Sequence, residues 1–255
     1  TKSLKDRVSK EDLITFTRGT TRARGATYVD ENGLVKRAGH NLIHNNTNIA
    51  GSTASSSVIG AWRHVLTENN GSAITMTPNY ALAPDGSMTA SRAQFTSGNV
   101  VNSYVLLEQA VSHNAAGTTN PAVAGNPIAG DTIVLSVYLK STDGSNTNIN
   151  FSNLGSHRQI LNVTGEWQRF EIRMVETDSD IRWRIGIRTG THSSFLNNPD
   201  NNGNYANITR DILVWGAQVE VSDVTGSNGL VTGVATEVIK TGSQASGAPR
   251  FTHDP

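Results

Sequence analysis

The feature that most limits what this chain can fold into is a strict two-residue alternation, which appears in four separate segments. On residues 131–140 an apolar row of Ile133, Leu135, Val137 and Leu139 opposes Val134, Ser136, Tyr138 and Lys140. Residues 167–175 set Phe170, Ile172 and Met174 against Trp167, Arg169, Glu171 and Arg173, and residues 181–187 set Ile181, Trp183, Ile185 and Ile187 against Arg182, Arg184 and the adjoining Arg188. On residues 211–220 the same spacing puts Leu213, Trp215, Ala217 and Val219 on one face. Period two is the signature of a strand with one buried side, because successive side chains leave a strand in opposite directions. One face packs into a core and the other meets solvent or a ligand, so the fold expected is all-β, with stacked antiparallel sheets.

Further short strands are expected at 62–67, 73–77, 92–96, 100–108, 147–151 and 158–163, with Gly-, Asn- and Pro-rich loops between them. That spacing is the one expected of a β-sandwich. A length of 255 residues is enough to bury a real core. Charged residues make up only 16%, against roughly 25% in an average globular protein, so hydrogen bonding from Asn, Thr and Ser supplies much of the solubility. The 21 basic and 21 acidic residues cancel, leaving no broad field for phosphate or anionic lipid. Nucleic acid and membrane insertion are therefore not expected partners. No cysteine is present, which removes disulfides, thiolate metal sites and cysteine nucleophiles together.

Three regions are expected. Residues 1–40 read as an N-terminal arm: a short amphipathic helix over 2–13, with Leu4, Val8 and Leu13 on a loose stripe, then a β-hairpin turning at Asn32-Gly33. Residues 41–221 carry the sandwich, in which Asp143-Gly144 reads as a hairpin between two strands of one sheet and 112–130 as a long contact loop. Residues 222–255 form a Gly/Ser/Thr-rich extension with short strand candidates at 235–239 and 250–252. Such a tail needs something to pair with.

No nucleophile elbow, zinc-protease helix, phosphate loop or EF-hand pattern occurs, and no carboxylate pair is nominated, so no catalytic residue is assigned. His40 and His44 lie four apart in an Asn-rich segment without the helix that a zinc pair would need, so no metal ligands are assigned. What remains is the outward face of the alternating strands, carrying Tyr138, Trp167, Arg169, Arg173, Arg182 and Arg184. Aromatic planes beside guanidinium donors suit a sugar ring with its hydroxyls. A structural reading stands beside it: Trp167 caps the core edge and the arginines solvate a sheet, while Trp183 and Trp215 belong to the core.

The order of several blocks carries a resemblance. Ala83-Pro84-Asp85-Gly86 is followed by residues 135–140 (Leu-Ser-Val-Tyr-Leu-Lys), then 163–170 (Val-Thr-Gly-Glu-Trp-Gln-Arg-Phe), then 212–220 (Ile-Leu-Val-Trp-Gly-Ala-Gln-Val-Glu). So arranged they resemble the carbohydrate-binding jelly-roll repeats of tailed-bacteriophage structural proteins, and they also look like the carbohydrate-binding modules attached to bacterial glycanases. The blocks at 16–36 and 248–255 tilt the resemblance toward phage tail, fibre or head-decoration proteins, cyanophage-like ones among them. In the usual repeat the closing Pro-Arg-Phe-Thr-His-Asp-Pro follows soon after the Gly33-Leu34-Val35-Lys36 block, whereas here it ends the chain, as if arm and tail reached between neighbouring subunits.

The resemblance implies a jelly-roll β-sandwich of the carbohydrate-binding-module or concanavalin-like kind, located in a virion. It implies host-surface adhesion or display, no enzymatic activity, and a homo-oligomer, often a trimer, in contact with other virion proteins. The partner implied for the outward face is a cell-surface glycan, with Tyr138, Trp167, Arg169, Arg182 and Arg184 as candidate contacts. The alternatives are a purely structural decoration or fibre subunit and, third, a glycan-degrading enzyme. Sandwich modules of this kind often hold Ca2+, for which the oxygen-rich residues 197–204 offer a single carboxylate where such sites want more.

Overall fold

A computed structural model describes residues 2–5, 12–16, 27–29, 35–37, 40–50, 60–66, 71–98, 104–111, 132–153, 158–175, 181–188, 208–223, 237–242 and 246–247. The first strands are β1 (Lys2–Lys5) and β2 (Asp12–Phe16), then β3 (Thr27–Val29), β4 (Val35–Arg37) and β5 (His40–Asn41). Ten longer strands follow: β6 (Trp62–Leu66), β7 (Ala73–Ala81), β8 (Ala90–Thr96), β9 (Tyr104–Ala110), β10 (Thr132–Ser141), β11 (Thr147–Ser152), β12 (Arg158–Val163), β13 (Gln168–Val175), β14 (Arg182–Arg188) and β15 (Thr209–Asp223). A last two-residue strand, β16 (Ser246–Gly247), pairs with β5.

The ten form two five-stranded sheets, ordered β13-β10-β15-β8-β7 (sheet one) and β12-β11-β14-β9-β6 (sheet two), and every pairing is antiparallel. The connectivity is that of one long ribbon rolled up. The outgoing strands β8 to β11 meet the returning strands β15 to β12 as nested neighbours, β11 with β12, β10 with β13, β9 with β14 and β8 with β15, and successive pairs fall in opposite sheets. This is the jelly roll. Strands β6 and β7 add an outer edge to each sheet.

Between the sheets the inward rows interdigitate. Ile133, Leu135, Val137 and Leu139 of β10, with Ile172 and Met174 of β13, face Val105 and Leu107, Ile149 and Phe151, and Ile185 and Ile187 from sheet two. Trp183 is fully buried at the centre, edge-on to Trp62 at 5.2 Å and to Phe151 at 5.4 Å. Its indole N–H donates to the Ser136 carbonyl of the opposite sheet at 3.3 Å, as a buried Trp requires. The core role expected of Trp183 is what the structure shows.

Four expectations from the sequence are corrected. The described residues of 2–13 are not helical: Lys2–Lys5 and Asp12–Phe16 are strands in an antiparallel pair. Strands β3 and β4 pair as the hairpin reading requires, with the Asn32-Gly33 turn outside the described residues. The Asp143-Gly144 turn joins β10 of sheet one to β11 of sheet two, so it is an inter-sheet corner and not a hairpin within one sheet. There Gly144 takes φ of 80°, and the Asp143 carboxylate accepts from Ser141 Oγ and Ser145 N at 2.8 Å each. Lastly, Leu213 and Trp215 do not share a face with Ala217 and Val219. The β10–β15 register shifts between Ser136 and Tyr138, opposite Gly216, whose φ is +65°. A positive-φ glycine inserts one extra residue as a bulge and flips the alternation, so Ala217 and Val219 enter the core while Trp215 points outward. Of the tail candidates, 235–239 is not a strand in its described residues 237–239, and 250–252, like the loop 112–130, lies outside the described residues.

Past the bulge β15 outruns β8, and residues 41–46 take up the vacated edge. Leu42 N donates to the Val219 carbonyl at 2.9 Å and Gly216 N to the Asn46 carbonyl at 3.1 Å. The fully buried Asn41 amide uses its whole capacity here: Nδ2 donates to the Ala217 and Ile239 carbonyls at 3.1 Å each, and Oδ1 accepts from Ile43 N at 3.0 Å and Val219 N at 3.2 Å. Asn46 repeats the device, accepting from Thr241 N at 2.8 Å and donating to the Ile239 carbonyl at 3.0 Å. The described part of the C-terminal extension thus folds back on its own chain. Asn41→Ala strands buried partners on three segments at about 1–3 kcal/mol each. A loss of at least about 3 kcal/mol in urea unfolding is the expected outcome, with little change from Asn48→Ala, at an exposed position nearby.

Candidate functional site

The five residues named from the sequence do not form one surface. Tyr138, Trp167 and Arg169 come together on the outer face of sheet one, where Tyr138 is the register partner of Arg169. Arg182 and Arg184 lie on the outer face of sheet two, paired with Ala110 and Glu108 of β9. The reason is topological: β13 and β14 both alternate correctly, but they belong to opposite sheets, so the outward direction on one is opposed to that on the other.

On sheet one the aromatic groups are spent largely on each other. Tyr138 meets Trp215 edge-on at 5.7 Å, the Arg169 guanidinium lies over the Tyr138 ring at 5.6 Å, and Arg169 Nη2 donates to Ser136 Oγ at 3.1 Å. The Trp167 indole N–H donates to the Leu82 carbonyl at 3.2 Å, and its ring closes a small cluster with Ala83, Ala90, Trp215 and Val238. Lys240 fastens this cover through Asp85 at 2.6 Å. Burial works to raise the Asp85 pKa, but the hydrogen bonds from Lys240 and Ser87 outweigh it and hold the carboxyl at about 2.

Sheet two is built differently. Register places Arg63, Glu108, Arg184, Ser152 and Arg158 in one row across all five strands, from β6 to β12. The Glu108 carboxylate is fully buried and accepts from three guanidiniums. Arg63 Nε reaches Oε1 at 2.7 Å and Arg182 Nη1 reaches it at 3.0 Å, while Arg63 Nη2 and Arg184 Nε close the set on Oε1 and Oε2. The next row runs Val65, Leu106, Gly186, Asn150 and Ile160. Gly186 is the gap in it. With φ of +153° and Val105 O only 2.0 Å from where a Cβ would sit, no larger residue fits.

A hollow of about 190 Å3 lies beside that gap, lined by Val65, Tyr104, Leu106, Arg184 and Arg188. Arg184 and Arg188 flank Gly186 two residues to either side. The Arg188 guanidinium sits 5.8 Å from the centre of the half-buried Tyr104 ring, its register partner. Burial first, then the nearby Arg158 and Arg184, push the Arg188 pKa down to about 10, which leaves it charged at neutral pH. Burial likewise lowers Arg184, against the pull of Glu108. Beside Gly186 in the row, Asn150 is buried, and neither its amide nitrogen nor its amide oxygen has a hydrogen-bond partner among the described residues. Buried amides are normally paired, and an orphan costs about 1–3 kcal/mol.

Tyr104, Leu106, Glu108, Asn150 and Gly186 were not singled out from the sequence. Their signal was present as a glutamate inside the strand Tyr104–Ala110, and as one glycine interrupting an outward row of arginines on Arg182–Arg188. Among the described residues no group of three or more His, Cys, Asp or Glu could hold a metal, and residues 197–204 lie outside them. Burial lowers the His44 pKa and so favours the neutral imidazole.

No protein-family model and no curated protein sequence matches the chain. Solved structures do. The chain is similar to a CBM4 structure (TM-score 0.42, 14% identity, 70% of this chain and 98% of that one). It is also similar to a family 11 carbohydrate-binding module from Clostridium thermocellum, solved in complex with a beta-1,3-1,4-mixed-linked tetrasaccharide (0.41, 10%, 72% and 97%). A third is the enzymatically active domain of bacteriophage CBA120 tailspike protein 4 (0.36, 13%), where 69% of this chain matches 21% of that one.

The buried carboxylate makes a direct test. Glu108→Gln removes the charge that three guanidiniums share, and breaking a buried ion pair costs about 3–5 kcal/mol. Urea unfolding is expected to show a loss of that size, whereas Glu171→Gln, whose partner Arg173 is exposed, is expected to change stability by less than about 1 kcal/mol.

Proposed function

We propose that this chain is a carbohydrate-binding jelly-roll domain of a phage virion protein, and that it engages a glycan on the outer face of sheet two. The observation that carries the site is the hollow beside Gly186. It joins an aromatic ring, Tyr104, to two guanidiniums, Arg184 and Arg188, with apolar walls from Val65 and Leu106. Sugar recognition needs that combination: apolar ring surface to stack on, and few but fixed donors for hydroxyl oxygens. At about 190 Å3 the hollow is smaller than the roughly 300–1,000 Å3 of an enclosing ligand pocket, so it accepts one ring of a chain laid across the sheet. Arg184 is held in place by Glu108, which lowers the ordering cost on binding.

The virion setting, with host-surface adhesion and assembly into a homo-oligomer such as a trimer, is supported by the order of the sequence blocks at 83–86, 135–140, 163–170 and 212–220 together with the blocks at 16–36 and 248–255. A second reading, a structural subunit without ligand, is favoured by a different surface: Tyr80, Leu82 and Met88 are exposed at the end of edge strand β7 and in the loop after it. Glycan affinity measured beside light scattering at micromolar concentration separates the two, since an assembly that binds glycan supports the first and an oligomer with no glycan affinity the second.

On a glycan array the wild-type chain is expected to bind at least one polysaccharide. Tyr104→Ala is expected to weaken that binding by about 1–2 kcal/mol, the scale of an aromatic contact, with Trp167→Ala on the far side leaving it unchanged. The opposite pattern, Trp167 mattering and Tyr104 not, would move the site to sheet one.

A further inference from the structure

The molecule carries its own control for what a buried asparagine does. Asn41 and Asn46, both fully buried, use donor and acceptor alike to tie residues 41–46 to residues 239–241. Asn153 accepts from Arg182 N at 2.8 Å and donates to Met174 Sδ at 3.7 Å. Asn150 is as buried as these, at 5% exposure, yet among the described residues neither its amide nitrogen nor its amide oxygen has a partner. The other neutral groups in that condition, His64 Nε2 and Ser91 Oγ, belong to inward rows beside Leu107 and Val214 of the core. Asn150 does not: its neighbours Ile149 and Phe151 enter the core, so its own side chain leaves on the outer face of sheet two. An orphan amide weakens the fold that contains it, which makes it worth asking what completes it.

The row Val65, Leu106, Gly186, Asn150 and Ile160 starts in the hollow and runs across the strands to Asn150. Neighbouring strands lie about 4.8 Å apart, so Asn150 stands about 10 Å along the row from Leu106. A glycan laid across the sheet with one ring in the hollow brings its next ring over Gly186 to Asn150. We infer that Asn150 is the specificity-determining residue for that second ring, and that it selects sugars with two unsubstituted hydroxyls on adjacent carbons. The inference rests on the proposed glycan-binding reading of the hollow. A carboxamide presents one donor edge and one acceptor edge side by side. Two adjacent hydroxyls answer both at once, one accepting from Nδ2 and the other donating to Oδ1, whereas a single hydroxyl cannot serve both at acceptable angles. A site built this way rejects a ligand that lacks the pair, because its buried polar atoms are then left unpaired. The diagonal neighbours of Asn150 are Arg184 and Arg188. Arg184 is held by Glu108, and the less buried Arg188 is the side chain that turns aside to admit the ring.

Titration calorimetry of the full chain against four probes tests this. Cellohexaose and a 1,4-linked galactan carry free 2,3-diols on every ring, whereas the inner rings of laminarihexaose and a 1,3-linked galactan have no two adjacent free hydroxyls. At least one 1,4-linked probe is expected to bind about tenfold or more tighter than its 1,3-linked counterpart, the size expected of two neutral hydrogen bonds. Asn150→Leu keeps the branching of the side chain and removes both polar atoms. It is expected to erase that preference and, in the sugar-free protein, to raise the urea midpoint, the direction opposite to that of a merely structural asparagine. Should Asn150→Leu fail to fold, the side-chain amide resonances of Asn150 in the wild type are expected to shift with the 1,4-linked probe and not with the 1,3-linked one. A preference unchanged in Asn150→Leu, or equal or tighter binding of the 1,3-linked probes, overturns the inference. So does a lower urea midpoint, which assigns the amide to an internal water. In each of these cases the glycan reading stands so long as Tyr104→Ala weakens binding. No binding of any of the four probes overturns both.

Discussion

One carboxylate organises half of this molecule. Glu108 sits at the middle of β9, fully buried, and draws in guanidiniums from β6 on one side and β14 on the other. Desolvating four charged groups is costly, and apolar residues of the same volume commonly serve stability as well or better. What the cluster supplies is position. Long arginine side chains lose much conformational entropy when fixed, and here that loss is incurred on folding. Arg184 is therefore already ordered, and the outer rows of three adjacent strands are locked in register without an apolar core above them.

Two glycines decide what the two outer faces become. At Gly216 a positive φ admits a bulge, which turns Trp215 outward onto Tyr138 and brings Ala217 and Val219 into the core. The same kink ends the pairing with β8 and leaves an edge for residues 41–46, stapled by Asn41 and Asn46 to residues 239–241. Sheet one is closed by its own chain as a consequence. At Gly186 the backbone of β14 passes so near Val105 O that a side chain is excluded, and the outer face of sheet two is left with a gap bordered by charge. One glycine thus covers a face and the other opens one.

The strands themselves were legible, because period-two alternation is a local property and the outward residue of each strand follows from it. The segments at 158–163 and 181–187 agree with β12 and β14 to within a residue. Sheet membership was not legible. Whether Trp167 and Arg184 look the same way depends on which sheet each strand joins, and that is fixed by the nested pairing of β8–β11 with β12–β15, contacts far apart in sequence. Alternation also fails silently at a bulge, so Trp215 and Val219 read alike until Gly216 is given its φ angle. Trp167 illustrates a third limit: chemistry suited to a sugar is equally suited to capping a cluster, and its indole N–H is taken by the Leu82 carbonyl.

The hollow's residues were hidden for a related reason. A glutamate within Tyr104–Ala110 and arginines within Arg182–Arg188 look like ordinary solvated charges when each strand is read alone. Only the cross-strand register turns them into a buried set, and only the absence of a side chain at Gly186 turns that set into a surface with room on it. A hollow of this sort is carried by what is missing from one position and over-supplied at its neighbours. The outward row Arg182, Arg184, Gly186, Arg188 is where that shows in the sequence, and an outward strand row that repeats one long charged residue around a single glycine is a pattern worth reading as a groove.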